Sequence, residues 1–263
     1  MKYAIVNNIR KEAFSIGEIG LCPCCKTEVR AYCGKKYINH WKHISKFHCD
    51  PWWENETKWH RDWKNHFPEE CQEVVQKADD GEKHVADVKT KDGWVIEFQH
   101  SLIKPDERKS RNMFYPKLVW IVNGSRRKTD LKQFKRVQKV SESLKIGPRI
   151  IHAHNVINGY RKFKLFREWG NTKHLVFLDF NNSAEYNTPN DIWCILPYLN
   201  DKGDVFLWKF KRYKFIKYLN DNRFDKWFNK NILRCGREGK LRQVLKNQCY
   251  VCNNEKEPTQ KGS

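Results

Sequence analysis

The sequence predicts an α/β (or α+β) protein in which helices flank a mixed sheet and a small module rich in cysteine and histidine comes first. Three observations predict this class. Short runs with strand character recur between turn residues. Segments whose aromatic or charged residues repeat at helical spacing alternate with these runs. Eight cysteines and histidines fall between residues 22 and 49, ahead of both kinds of segment.

The predicted elements follow one another along most of the chain. A helix is predicted at 54–67, because Trp59, Trp63 and Phe67 repeat at helical spacing and Pro68 stops the pattern. Another helix, at 105–113, begins at a proline, which suits a first helical turn. The other predictions are strands at 71–76, 83–90, 94–99, 118–122, 174–180, 191–197 and 204–210, and a helix at 130–144.

The chain is strongly basic, with 51 Lys and Arg against 31 Asp and Glu and a net charge of +20. Such an excess repels itself unless a polyanion is the working partner, and nucleic acid is the commonest one. No stretch approaches the roughly 18 to 20 apolar residues that span a bilayer, and the first residues lack the apolar core of a signal peptide. We therefore expect a cytoplasmic protein with no membrane partner; no pattern indicates a protein partner or a homo-oligomer.

The strongest local pattern is a hairpin that carries two carboxylates. If 91–93 form a three-residue loop with Gly93 in the left-handed conformation, Thr90 pairs with Trp94 and Asp87 lies opposite Glu97. Side chains alternate along a strand, so Gln99 shares their face. Facing carboxylates are unfavourable unless a cation lies between them, and Mg²⁺ or Mn²⁺ takes such oxygen ligands. The alternative is an exposed amphipathic hairpin with solvated charges.

The cysteine spacing predicts a structural zinc site. Cys22-x-x-Cys25 followed by His40-x-x-His43 fits a tetrahedral set of two thiolates and two imidazoles. The alternative is a core of reduced thiols. Further candidates for the fourth ligand are Cys33, His48 and Cys49. A second zinc-binding knuckle could form from Cys235, Cys249 and Cys252, although no fourth ligand is evident.

The hairpin and its flanks resemble the competence protein CoiA-like nuclease family, within the PD-(D/E)XK nuclease superfamily. The resemblance rests on His84-x-Ala86-Asp87-Val88 and Ile96-Glu97-Phe98-Gln99-x-Ser101. Upstream, Glu56, His60 and Lys64 match the helix before the first core strand. Downstream, Arg108, Arg111 and Tyr115 match the arginine helix before the next strand, and the first cysteines and histidines match the zinc site. Gln99 stands where most of the superfamily has a lysine. The CoiA-like pattern also has a glutamine at this position.

The resemblance implies a restriction-endonuclease-like core and a Mg²⁺- or Mn²⁺-dependent deoxyribonuclease, in DNA processing during competence or in antiviral defence. Asp87 and Glu97 would hold the metal, with Glu73 or Glu56 completing its ligands. Gln99 would orient water, His60 could be a general base, and Arg108 and Arg111 could grip phosphates. A non-catalytic DNA- or RNA-binding protein on a nuclease-like scaffold is the alternative, whereas no motif supports an assembly subunit.

The sequence therefore suggests three parts. Residues 1–50 form the zinc module, 51–145 the nuclease core, and 146–263 a basic region that completes the core or binds nucleic acid. The cations expected to bind nucleic acid in the last part are Lys209, Lys211, Arg212, Lys214 and Lys217.

Overall fold

The computed structural model divides the chain into two compact units, Met1–Lys117 and Leu118–Ser263. The first unit joins the N-terminal module to the segment that carries Asp87 and Glu97, which the sequence had placed in separate parts. A physical reason is visible at the N-terminus, where the backbone N–H of Lys2 donates to both carboxylate oxygens of Glu73, at 2.8 and 2.9 Å. The structure describes residues 1–35, 37–45, 49–52, 56–146, 151–170, 172, 174–180, 190–199, 203–234, 241–245 and 248–249.

The first unit begins with a five-stranded antiparallel sheet that the sequence patterns did not predict. Its order is β2-β1-β3-β4-β5. Asn7 and Asn8 both have positive φ in the two-residue turn between the first two strands, as a twist-matched hairpin turn requires. Trp41 is buried in its small core. The strands are β1 (Tyr3–Val6), β2 (Ile9–Glu12), β3 (Ile19–Leu21), β4 (Glu28–Tyr32) and β5 (His40–His43).

A helix and three antiparallel strands follow in the same unit. The helix starts later than the 54–67 pattern predicted, because Thr57 caps it: the Thr57 hydroxyl accepts from the His60 N–H, and His60 Nδ1 accepts from the Thr57 N–H. Trp59 and Trp63 bury its apolar face, as predicted. The elements are α1 (Lys58–Lys64), a 3-10 turn (Glu69–Cys71), β6 (Gln72–Lys77), β7 (Lys83–Lys89), β8 (Val95–Gln99) and α2 (Pro105–Phe114).

The second unit contains a mixed sheet with helices, so the mixed α/β class predicted from the sequence is confirmed. Within this unit the strand order is β10-β11-β14-β13-β12-β9, with β9 and β12 parallel and the other pairs antiparallel. Trp120, Phe166 and Phe177 are fully buried. The larger elements are β9 (Leu118–Asn123), α3 (Lys128–Val140), β10 (Glu142–Ile146), β11 (Ile151–Val156), β12 (Leu175–Asp179), β13 (Asp191–Leu199), β14 (Val205–Lys211) and α6 (Arg212–Asn220).

The helix predicted at 130–144 is only partly right. It runs from Lys128 to Val140, and Ser141 then adopts an extended backbone with ψ of 139°. The next residues form β10, whose backbone pairs with β11, so strand pairing replaces the last predicted helical turn. The smaller elements are α4 (Gly159–Lys162), α5 (Lys164–Trp169), α7 (Phe224–Asn231), β15 (Ile232–Arg234), β16 (Leu241–Leu245) and β17 (Gln248–Cys249). Among the described residues, no helix has the length and apolarity to cross a bilayer.

Candidate metal centres

Three thiols and one imidazole converge beside the N-terminal sheet. Sulfurs of Cys22, Cys25 and Cys49 and a ring nitrogen of His43 all lie within 4.8 Å of one another. The turn after β3 brings the first two together, since the Cys22 N–H donates to the Thr27 carbonyl and the Lys26 N–H donates to that of Cys22. This cluster could hold a metal ion.

The spacing of the four groups suits tetrahedral zinc. The sulfurs of Cys22 and Cys49 are 3.7 Å apart, and Cys25 Sγ is 3.3 Å from His43 Nε2. Bonds of about 2.3 Å to sulfur and about 2.0 Å to nitrogen at tetrahedral angles require separations of roughly 3.8 and 3.5 Å. The donor set, three soft thiolates and an imidazole, also favours zinc over a hard cation.

His40 is not part of this cluster, so the predicted ligand set is wrong in one member. His40 and His43 stand at opposite ends of β5, and side chains three residues apart on a strand point to opposite faces. His40 instead places Nδ1 2.9 Å from the Ile38 carbonyl and stacks on Tyr32. Cys49, one of the alternatives open from the sequence, takes its place. Cys235 and Cys252 lie outside the described residues.

The thiols of the cluster are already polarised toward one another. The hydrogen bond from Cys49 lowers the pKa of the Cys22 thiol to about 4. The same hydrogen bond is the main cause that raises the pKa of Cys49, and burial is the second cause. A bound zinc ion would hold both sulfurs as thiolates and release this proton.

A row of three carboxylates crosses the strands β6, β7 and β8. Gln72 pairs with Val88 and Val74 with Ala86, so Glu73 and Asp87 face each other between them. Val88 pairs with Ile96, so the next position along places Asp87 opposite Glu97, as the hairpin pattern predicted. Glu73 has a positive φ of 46°, which interrupts regular strand geometry at this row.

The carboxylates of the hairpin replace ladder bonds between its strands. Oδ2 of Asp87 accepts from the backbone N–H of Phe98 at 3.0 Å. Oε1 of Glu97 accepts from the backbone N–H of Asp87 at 3.4 Å. Each side chain is therefore fixed by the backbone of the opposite strand, which holds both carboxylates against their mutual repulsion. Glu97 is buried and Asp87 is half-buried, so the solvated-hairpin alternative does not describe this site.

These carboxylates line a cavity of about 90 Å³. Its wall also includes Glu56, which precedes α1, and His60 and Lys64 of that helix. Asp50, which the sequence patterns did not single out, completes the acidic part of the wall; its carboxylate accepts from the Val85 and Trp52 N–H groups. The complete lining is Met1, His43, Cys49, Asp50, Trp52, Glu56, His60, Lys64, Glu73, Val85, Asp87, Glu97 and Arg111.

Lys64 lies at the centre of this acidic wall. Its ammonium is 3.0 Å from Asp87 Oδ1, 3.0 Å from Glu73 Oε1 and 3.2 Å from Glu56 Oε1. Burial by itself would lower its pKa, but the three carboxylates raise it well above the ordinary value. Lys64 is thus a charged, buried group of the site, although the sequence patterns gave it no role.

Arg111 supports Glu97 rather than facing solvent. It is buried, its guanidinium is 2.8 Å from Glu97 Oε2, and it also contacts Glu107 at 2.6 Å. Burial and the charge of Asp87 nevertheless raise the pKa of Glu97 to about 8, an effect that Arg111 opposes without cancelling. In the metal-free protein, Glu97 therefore holds a proton more readily than an ordinary carboxylate.

His60 and Gln99 are both engaged by neighbouring groups. His60 Nε2 is 2.8 Å from the Phe98 carbonyl, which only accepts, so this nitrogen carries the hydrogen. Its other nitrogen caps α1, an arrangement that positions the helix. The amide nitrogen of Gln99 donates to the backbone and hydroxyl oxygens of Ser101 at 3.2 and 3.4 Å. Gln99 is buried but is not among the residues that line the cavity.

Most of the cations expected to bind nucleic acid have acidic neighbours. Lys209 and Lys211 contact the buried carboxylate of Asp191 at 2.9 and 2.8 Å, and Arg212 contacts that of Asp179. Lys217 is 3.3 Å from Asp221. Arg108 is half-buried, and Lys214 is exposed. The run is therefore less available to a polyanion than its sequence suggested.

A different helix presents cations to solvent. Lys128, Lys132, Arg136 and Lys139 of α3 are exposed, and the structure shows no acidic neighbour for them among the described residues. At 3.6 residues per turn they fall within about 80° of one another around the helix, opposite buried Val137. This surface is called the α3 basic face below.

No family model, curated protein or solved structure matches this chain.

Proposed function

We propose that this protein is a metal-dependent nuclease that hydrolyses phosphodiester bonds of DNA. The observation that carries the proposal is the row formed by Glu73, Asp87 and Glu97, whose carboxylates face one cavity in adjacent strands. Converging, poorly solvated carboxylates are costly unless cations compensate their charge, and hard divalent cations take oxygen ligands of this kind.

The donor set fits Mg²⁺ or Mn²⁺. Asp87 and Glu97 would hold the ion, with Glu73 or Glu56 as a further ligand. About 10–15 Å³ of cavity volume holds one water, so the cavity has room for an ion with several waters. When bound, such an ion polarises a phosphate oxygen and lowers the pKa of its water.

The surrounding residues have supporting roles in this proposal. Arg111 fixes the second oxygen of Glu97 and keeps that carboxylate aimed at the cavity. His60 ties α1 to β8 through the Phe98 carbonyl, so its role is to position the helix that carries Lys64. Gln99 does not line the cavity and its amide nitrogen is engaged by Ser101, so its direct participation is a prediction of the resemblance.

The order of elements also supports the proposal. A helix, three antiparallel strands, an arginine-bearing helix and a further strand follow one another from α1 to β9. This is the order that the resemblance to the CoiA-like nucleases implied for a PD-(D/E)XK core. DNA processing in competence and antiviral defence are the settings which that resemblance suggests.

The proposed substrate is supported by charge. The α3 basic face offers four exposed cations on one side of a helix, and phosphate groups neutralise such cations while releasing counterions. Around β14 and α6, exposed Lys214 would contribute. The lysines that pair with Asp191 and Asp221 would also contribute, because their side chains are partly exposed.

One observation favours the non-catalytic alternative, a DNA- or RNA-binding protein on a nuclease-like scaffold. Lys64 already neutralises part of the charge of Glu56, Glu73 and Asp87. A cluster balanced in this way could be stable without a metal ion and would then serve only as a structural ion-pair network.

A cleavage assay separates the two functions. The purified protein is incubated with supercoiled plasmid, linear duplex, single-stranded DNA and RNA, with Mg²⁺, with Mn²⁺ or in metal-depleted buffer. The proposal expects cleavage of at least one DNA form that requires the added metal. Binding of every substrate without cleavage under any condition would support the scaffold instead.

A further inference from the structure

The buried ammonium of Lys64 lies among the carboxylates that would hold a metal ion in the proposed function. Its side chain is 6% exposed and contacts three carboxylates that approach from the start of α1, from β6 and from β7. Burying an ammonium is unfavourable unless such partners compensate it. The converse also holds, because without the ammonium these carboxylates would repel one another in a poorly solvated space.

Other cations lie around the cluster, including the N-terminal ammonium of Met1, which lines the same cavity. Arg61 contacts the other oxygen of Glu56, at 2.6 Å, and Arg111 contacts Glu97. Asp87 and Glu73 each form an ion pair with the Lys64 ammonium, at 3.0 Å. Burial raises the pKa of Glu73, and the charge of Lys64, followed by that of the N-terminal ammonium of Met1, lowers it. Lys64 is also in direct contact with Asp87.

We propose that Lys64 is an internal counter-ion that holds the carboxylate cluster together in the metal-free protein, and that a divalent cation competes with it for the oxygens of Asp87 and Glu73. This inference rests on the proposed metal site and adds a property of that site. The ion and the ammonium favour the same oxygens, so binding of one displaces the other from direct contact.

The competition predicts the direction in which the affinity for Mg²⁺ changes when Lys64 is replaced. If Lys64 competes, replacing it with an uncharged side chain of similar length leaves the oxygens more negative, and Mg²⁺ binds more tightly. If Lys64 instead only holds Asp87 in position for the metal, the same replacement disorders the ligand and Mg²⁺ binds more weakly. The direction of the change in affinity distinguishes these two roles.

The test compares the full-length protein with Lys64→Met and with a control, Lys58→Met. Lys58 lies on the same helix, but its side chain is 82% exposed and pairs with Asp62. The samples are first depleted of added divalent cations, and their zinc content is measured. Mg²⁺ is then titrated into them by calorimetry, because thiolates bind Mg²⁺ poorly. Thermal unfolding is followed with and without Mg²⁺.

Competition predicts that Lys64→Met binds Mg²⁺ at least about tenfold more tightly than the unmodified protein, since a full charge about 3 Å from the ligands is removed. It also predicts that Lys64→Met unfolds at a lower temperature than the unmodified protein without Mg²⁺. The unfolding temperature of this variant should rise more when Mg²⁺ is added. Lys58→Met should match the unmodified protein in both. Unchanged or weaker Mg²⁺ binding by Lys64→Met would overturn the proposal.

A second variant covers the case in which Lys64→Met does not fold. Lys64→Met combined with Glu73→Gln removes one charge of each sign and retains an amide oxygen for the Lys2 N–H. Competition predicts that this double variant folds and still binds Mg²⁺ more tightly than the single variant Glu73→Gln. Equal or weaker binding by the double variant contradicts the competition. Because affinity is measured without cleavage, a protein that shows this competition but cuts nothing would refute the nuclease and leave the role of Lys64 intact.

Discussion

The ammonium of Lys64 lies 3.0 Å from Oδ1 of Asp87, so the first helix of the carboxylate site reaches the middle strand of that site through a buried ion pair. This contact joins two sequence patterns that are 23 positions apart. Glu56, His60 and Lys64, which recur at four-residue intervals, all line the same cavity. Glu56 and Lys64 line the cavity as charged partners, and His60 fixes the helix between them.

If the cluster of Cys22, Cys25, His43 and Cys49 binds zinc, two nearby histidines should differ clearly in their effect on it. His43→Ala and Cys49→Ser should each lose most of the bound zinc and lower the unfolding temperature, because a closed structural site stabilises a module with a small core. His40→Ala is the matched control, and it should keep about one zinc per chain. Elemental analysis of washed protein decides this. Zinc loss in His40→Ala with retention in Cys49→Ser would contradict the assignment.

Glu97 predicts a pH-dependent stability. Its folded-state pKa is raised to about 8 from an ordinary value of 4.5. The folded protein therefore binds more protons than the unfolded chain between these pH values, and its free energy of unfolding should decrease as pH rises through that interval. The decrease should be of the order of a few kcal/mol at most. Glu97→Gln, which stays uncharged, should reduce it.

Urea unfolding in metal-depleted buffer at several pH values measures this effect. Glu107→Gln is the control, since Glu107 also contacts Arg111 but is 30% exposed. Its pH profile should follow that of the unmodified protein. If Glu97→Gln and the unmodified protein show parallel profiles from pH 4.5 to 8, Glu97 is not the group responsible.

The α3 basic face predicts where nucleic acid binds. Changing Lys128, Lys132, Arg136 and Lys139 to Gln should weaken DNA binding for all sequences and lower the salt slope by up to about 3–4, given roughly 0.9 per phosphate contact. The same change in Lys209, Lys211 and Lys217 should reduce stability more than the salt slope, because Asp191 loses its partners.

Fluorescence anisotropy across a salt series, with thermal unfolding in parallel, compares these two sets without any need for cleavage. An unchanged salt slope in the α3 variant, together with a large loss of salt slope in the β14 and α6 variant, would contradict this assignment. It would identify Lys209, Lys211 and Lys217 as the binding surface, as the sequence suggested.

Much of the carboxylate site could be predicted from the sequence, because the hairpin is local. Gly93 has a φ of 85°, and the Thr90 N–H donates to the Trp94 carbonyl, so a single turn determines the register that places Asp87 opposite Glu97. Glu73 was only one of two candidates for a further ligand, since its place depends on the pairing of β6 with β7. That pairing is set by packing as well as by local spacing.

The sequence predictions differ from the structure where segments distant in the chain meet or where a local strand was not predicted. The His40-x-x-His43 spacing suits one face of a helix, but these residues form β5, which separates the two side chains. The resemblance assigns Arg111 to phosphate binding, and in the structure its guanidinium reaches Glu97 and the Trp52 carbonyl. The five-stranded sheet was missed because its strands are only three to five residues long.

The most direct test of the nuclease is the initial rate of DNA cleavage in Mg²⁺ or Mn²⁺ for Asp87→Asn and Glu97→Gln. Neither Asn nor Gln can ionise to a carboxylate, but both keep an oxygen that can accept the backbone N–H of the opposite strand, so folding should persist. Asp62→Asn, on the exposed side of α1, is the control. We expect both site variants to lose at least about 10²-fold in rate while DNA binding and the control are unchanged; wild-type rates in both site variants would contradict the account.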